Sequence, residues 1–97
     1  MMTNQAVLEA FLNMKLRPVD APAQDIPAIR EVICQQIAHF PAFALPSVHD
    51  PVVICGFVTV FGTCTVWMLT GEGFEERAGK VLGMQRRLCA DMFAALG

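Results

Sequence analysis

The chain has 97 residues, enough for one domain with one core and too short for two. Hydrophobic residues make up 55% and charged residues 16%, so core material is ample and polar surface is relatively scarce, and some apolar surface is expected to face a partner. The formal net charge is −2, and the 7 basic residues are dispersed along the chain; this argues against nucleic acid, whose binders gather Lys and Arg on one face.

At the amino terminus Val7, Leu8, Phe11, Leu12 and Met14 recur at helical spacing behind a Thr3 or Asn4 cap, which predicts a short amphipathic helix over residues 4–14. It either covers an edge of the domain or lies on a membrane surface, and only Lys15 and Arg17 nearby are basic. A brief extended run follows at 15–19, then a Pro- and Ala-containing linker at 20–24. Asp25 is placed to cap a helix over 26–38, with Pro27 tolerated in its first turn and Ile26, Ile29, Ile33 and Ile37 as its apolar stripe. Three prolines in 39–51 predict a loop with at most one helical turn.

No charged residue occurs from Pro51 to Gly71. A run of that length could cross a bilayer, which admits a holin-like membrane protein. Its Val, Thr, Phe, Ile and Trp content favours strands instead, and Gly56 and Gly62 stand where turns would fall. Val58, Val60, Cys64, Val66 and Met68 read as one face of these strands and Thr59, Thr63 and Thr65 as the other. No Lys or Arg flanks the run to orient it in a membrane. From 74 to 96 the pattern is a long amphipathic helix. Phe74, Ala78, Val81, Leu82, Leu88, Cys89, Met92, Phe93 and Leu96 form its apolar side, and acidic residues precede basic ones in keeping with the macrodipole. Gly79 and Gly83 inside it suggest close approach of another backbone.

The 4 cysteines, Cys34, Cys55, Cys64 and Cys89, contain no C-x-x-C pair, and no signal-peptide pattern precedes them. They read as reduced thiols in a cytoplasmic protein. His39 and His49 stand ten apart, so no close ligand pair points to a metal.

The run Leu16-Arg17-Pro18-Val19 leading to Asp25-Ile26-Pro27-Ala28-Ile29 resembles the start of the GCN5-related N-acetyltransferase (GNAT) fold. Gly56-Phe57 through Trp67-Met68-Leu69-Thr70 into the long helix is similar to the short GNAT-like proteins of tailed bacteriophages. The resemblance spans residues 15–97 and implies a single truncated GNAT-like α/β (α+β) domain over 1–97. In it a β-α-β-β-β-α core follows the helix at 1–14, and an antiparallel sheet of three to four strands packs against the amino-terminal helix and the long carboxy-terminal one. GNAT enzymes carry R/Q-x-x-G-x-G/A between the last of these strands and the helix, where backbone N–H groups hold the pyrophosphate of coenzyme A. If acetyl-CoA or coenzyme A binds here, the site is Met68, Thr70, Gly71, Glu72, Gly73 and Phe74. Gly71 and Gly73 match the motif and Met68 departs from it. Glu72, Glu75 and Glu76 bring negative charge that would oppose a pyrophosphate by about a few kcal/mol. Read without the resemblance, Thr70 caps the helix and the glycines make the turn.

The chain has no tyrosine to protonate a leaving thiolate, and Gly97 falls where the second half of a GNAT domain would begin. No spacing singles out a general base among Glu31, Asp50, Glu72, His39 and His49. The resemblance therefore implies a non-catalytic protein that binds and modulates a host protein, as in host takeover. A homodimer formed through an exposed strand edge is also expected. The alternatives are a minimal acetyl-CoA-dependent N-acyltransferase and the holin-like membrane protein.

Overall fold

The computed structural model describes residues 2–96. Met1, Gly97 and the Leu96 side chain lie outside the described residues, and with them the last apolar position of the expected stripe and the chain end at Gly97.

Helix α1 (Asn4–Asn13) begins where the Thr3 hydroxyl accepts the Ala6 N–H at 3.1 Å, which satisfies one of the donors a helix start leaves open. Its far end is closed by Gln24, whose side-chain amide donates to the carbonyls of Phe11 and Met14, each at 2.7 Å. Gln24 lies in α2 (Pro22–Asp25), a single turn formed within the stretch expected to be a linker. Asp25 ends that turn and does not cap α3 (Pro27–His39). The boundary residue is Ile26, in extended conformation, whose side chain has no acceptor, so α3 starts with no side-chain cap; Pro27 at its first position leaves one fewer open N–H.

Strands β1 (Ala42–Leu45), β2 (Val53–Val60) and β3 (Thr63–Thr70) form an antiparallel sheet in the order β1-β2-β3, and α4 (Phe74–Leu96) follows. Strand β1 corrects the expectation of a loop at 39–51. Pro41 and Pro46 bracket its four residues without interrupting them, so the sheet ladder tolerates both. Gly56 makes no turn; it sits inside β2 opposite Trp67. A Cβ there would fall 2.4 Å from two carbons of the Trp67 ring, so the glycine leaves room for the indole to lie on the strand.

The hairpin turns once, at Phe61 and Gly62, with φ of 51° and 78°. Two successive positive φ angles are the signature of a type I′ turn, whose twist matches that of the flanking strands. A two-residue turn pairs Val60 with Thr63, so the alternation does not run through it. Val58 and Val60 share a face with Thr63, Thr65 and Trp67, whereas Cys64, Val66 and Met68 share the other with Thr59 and Phe57. This replaces the face assignment read from period-two spacing alone.

Helices cover both faces. Ala42, Ala44 and Ile54 pack against Val7, Ala10 and Phe11 of α1 and Ile37 of α3. On the opposite face Leu45, Val53 and Cys55 meet Val81 of α4, with Phe43, Phe74, Met84 and Leu88 around them. Phe57 is buried there between Phe43 and Phe93, both edge-to-face at centroid distances of 6.1 and 6.3 Å. The uncharged run thus supplies paired strands, and no helix among the described residues is long and apolar enough to cross a membrane.

The expected close approach at Gly79 and Gly83 is not found: a Cβ on either would have nothing within 4 Å. The two central glycines therefore behave oppositely on substitution. Gly56→Ala should cost about 1–3 kcal/mol through overpacking against Trp67, and Gly79→Ala should gain about 1 kcal/mol of helix propensity. Urea unfolding followed by circular dichroism checks both signs.

Candidate functional site

The junction between β3 and α4 is organised by one buried hydroxyl. Thr70 is 4% exposed; its Oγ1 donates to Asp20 Oδ2 at 2.5 Å and accepts from Arg17 Nε at 2.9 Å. Its backbone N–H donates to the same Asp20 oxygen at 2.8 Å, and its carbonyl accepts the Arg17 N–H at 2.9 Å. Segment 15–20 is held as a strap along the end of β3, with a single ladder bridge between Leu16 and Gly71. The Arg17 guanidinium lies 5.0 Å from the centroid of Phe74 and pairs with Glu75 at 3.3 Å. Thr70 is the last residue of β3 and a partner of the strap, so the expectation that it caps α4 is corrected.

The remaining residues of the expected coenzyme turn are placed as follows. Gly71 donates its N–H to the Val52 carbonyl at 2.8 Å, and Glu72 donates its N–H to the Lys15 carbonyl at 2.9 Å. A Cβ on Gly71 would lie 2.5 Å from Met14 Cε, the far end of a flexible side chain, and 3.2 Å from the Lys15 carbonyl oxygen, so a larger residue would need Met14 to move and the strap to give by a few tenths of an ångström. Gly73 has a φ of +86° and turns the chain into α4. Met68 lies two residues back, exposed on β3. Phosphate oxygens approaching this turn would have to displace the Asp20, Val52 and Lys15 acceptors from the N–H groups of Thr70, Gly71 and Glu72. They would also meet Glu72, here paired with Lys15 at 3.3 Å.

The candidate bases are not brought together. Glu31 and His39 both bond to Gln35 along the exposed side of α3, at 3.0 and 3.1 Å. Asp50 pairs with Arg77 of α4 at 2.9 Å. His49 lines a cleft of about 460 Å³ between α1 and the 48–51 segment, together with Glu9, Asn13 and Met14. Glu9 and Asn13 escaped the sequence reading, although their i, i+4 spacing marks one polar edge of α1. A second, mainly apolar groove of about 340 Å³ runs between β1 and α4, lined by Met2, Phe43, Leu45, Met84 and Leu88 with Arg87 and Asp91 at its rim. Among the described residues no cluster of His, Cys, Asp and Glu could hold a metal ion.

The thiols differ in environment. Burial pushes Cys55 up to about 12, with nearby Cys89 adding to the rise, and burial also raises Cys34. A thiol held protonated in this way makes no nucleophile at neutral pH.

The hairpin tip is the most exposed apolar feature. Phe61 is fully exposed in the left-handed region, and Val60, Val66, Met68 and Phe93 are exposed beside or below it. No charged side chain interrupts 51–71. The fold and this surface define an α+β domain whose sheet is covered at its base and bare at its tip. Comparison with known protein families, curated proteins and solved structures finds no match.

Two outcomes follow from this geometry. Thr70→Val keeps the shape but leaves Asp20 and Arg17 without their shared hydroxyl, and should cost about 1–3 kcal/mol in urea unfolding, with Thr70→Ser recovering most of it. Cys55 has a folded pKa above its ordinary value of 9.0, so the unfolded chain releases the thiol proton first. Its stabilisation is complete below pH 9 and is lost as the pH rises towards 12, at about 1.4 kcal/mol per pH unit. Cys55→Ala should flatten that decline in unfolding free energy measured across this window.

Proposed function

We propose that the chain is a protein-binding module that grips and modulates another protein through the β2–β3 hairpin and completes no acetyl transfer. On its resemblance it is a GNAT-like protein of the tailed-phage type, acting in the bacterial cytoplasm on a host protein. Phe61 carries the reading. A bulky residue in the left-handed region costs about 1 kcal/mol or more, and type I′ turns prefer Asn, Asp or Gly there. Its ring gains nothing from the fold in return, because it is fully exposed. Strain kept at a position with no packing benefit is typical of residues that serve a contact. Val60, also exposed, widens the patch that Phe61 would insert into an apolar pocket.

A minimal acyl-CoA N-acyltransferase is the second reading. It is favoured by Gly73, whose positive φ opens the amino terminus of α4 beside a match to the glycine motif. The two readings separate on ligand and on mutant. Binding of coenzyme A to the folded state would raise the melting temperature in a saturable way, whereas a binding module that has lost the coenzyme shows no rise up to millimolar acetyl-CoA. Phe61→Asn should stabilise the hairpin by about 1 kcal/mol, or about 4–8 °C for a domain of this size. The same change should abolish capture of the protein that the wild type retains from bacterial lysate. Equal capture by Phe61→Asn, or a saturable coenzyme A shift, would sink the proposal.

A further inference from the structure

Successive residues of a strand send their backbone groups to opposite sides, and β3 shows which residues face which way. The Gly71 N–H turns inward to the Val52 carbonyl. The N–H and carbonyl of Thr70 turn outward, to Asp20 and Arg17. By this alternation Met68, Val66 and Cys64 also send their N–H and C=O groups away from β2, and β3 is the last strand in the sheet order.

The two sheet edges are treated differently. On the β1 side the Ala44 N–H reaches Met2 Sδ at 3.3 Å, and Met2 and α1 pack over that edge. On the β3 side the strap closes the edge only from Thr70 to Glu72, and the Phe61–Gly62 turn bounds it at the other end. Residues 63–69 lie between these limits. They contain none of the usual protections of an exposed edge, neither a charged residue nor a proline.

We propose that this edge pairs antiparallel with the same edge of a second copy, on a two-fold axis at Val66, to make one continuous six-stranded sheet. The inference gives a defined geometry to self-association through an exposed edge, and it does not depend on what the hairpin tip binds. Three observations select a second copy over an unrelated strand. The midpoint of the open stretch is Val66, a residue whose backbone groups point outward, as an isologous axis needs. A copy of the stretch matches its length, so neither chain overhangs into the other's strap. The stretch carries no charge, so no like charges meet across the axis. In this register Val66 opposes itself and Cys64 opposes the partner's Met68. The exposed side chains of Val66, Met68 and Phe93 lie on the α4 side of the sheet and become partly covered.

Light scattering on purified protein at rising concentration tests the pairing, with Val66→Lys as the disrupting variant. Wild type should move from the mass of one chain to that of two, and Val66→Lys should stay at one chain with an unchanged circular dichroism spectrum. A second readout fixes the register without relying on a disruptive change. With Cys34, Cys64 and Cys89 replaced by serine, Val66→Cys places two Cα atoms about 5.5 Å apart across the axis, within disulfide reach, and should cross-link on mild oxidation. Thr63→Cys in the same background lies about 20 Å from its copy and should not. A wild type that stays monomeric at millimolar concentration, or a Val66→Lys variant that still dimerises, overturns the proposal. So does cross-linking at Thr63 as efficient as at Val66. Phe61→Asn leaves this edge intact, so loss of dimer and loss of capture are read separately.

Discussion

The fold depends on the Thr70 hydroxyl held between Asp20 and Arg17. These partners are 50 and 53 residues away in sequence, and closing so long a loop costs entropy that local contacts do not recover. The contact is made where four parts of the chain converge: the end of α1 at Met14, the strap, the end of β3 and the start of α4. The buried hydroxyl, N–H and carbonyl of Thr70 each have a partner, which is the condition for burying such groups without a penalty of several kcal/mol. Gly71 belongs to the same constraint, since the strap lies close enough that a larger residue there would have to displace Met14 and shift the Lys15 carbonyl.

From that knot the sheet acquires its asymmetry. Near its base both faces are covered, by α1 and α3 on one side and α4 on the other. Towards the tip, β2 and β3 run beyond β1, whose pairing ends at Ala42 opposite Gly56. The apolar surplus of the composition is divided accordingly, with Ile54, Cys55 and Phe57 buried and Val60, Phe61 and Val66 exposed. A chain with so few charges leaves apolar side chains exposed at this end, and others at Leu12, Val19, Ile26, Ile29, Val32 and Leu82 elsewhere on the surface. The groups that could move a proton are spread over α3, the 48–51 segment and the start of α4, each already engaged with a neighbour or set apart in its own cleft.

Much of this was legible in the sequence, for identifiable reasons. Helices α1, α3 and α4 were readable because their apolar residues repeat at about 3.6, and α1 also because Thr3 sits where a cap belongs. The hairpin was readable from its β-branched content and from Gly62. Strand β1 was hidden because four residues between two prolines are too few to show a period, and three of the four are buried. Gly56 looked like a turn since its purpose lies across the ladder, under Trp67. Asp25 looked like a cap because α2 cannot be distinguished from a linker on composition. At the site, the strand, glycine turn and helix of 68–74 were foreseen, but the commitment of their N–H groups was not. Those acceptors, Asp20, Val52 and Lys15, come from other parts of the chain, and no local pattern announces them. The cleft between Glu9 and His49 was invisible for the same reason.

Native-state hydrogen exchange at single-amide resolution tests the central claim, that the strap is locked to β3 and α4 as part of the core. The amides of Arg17, Thr70, Gly71 and Glu72 should exchange only on global unfolding, with the same free energy as those of Ile54 and Cys55 in the central strand. Exchange of Arg17 and Glu72 at the rate of the exposed turn at Gly62, with β2 still protected, would show that the strap opens independently and would contradict the account.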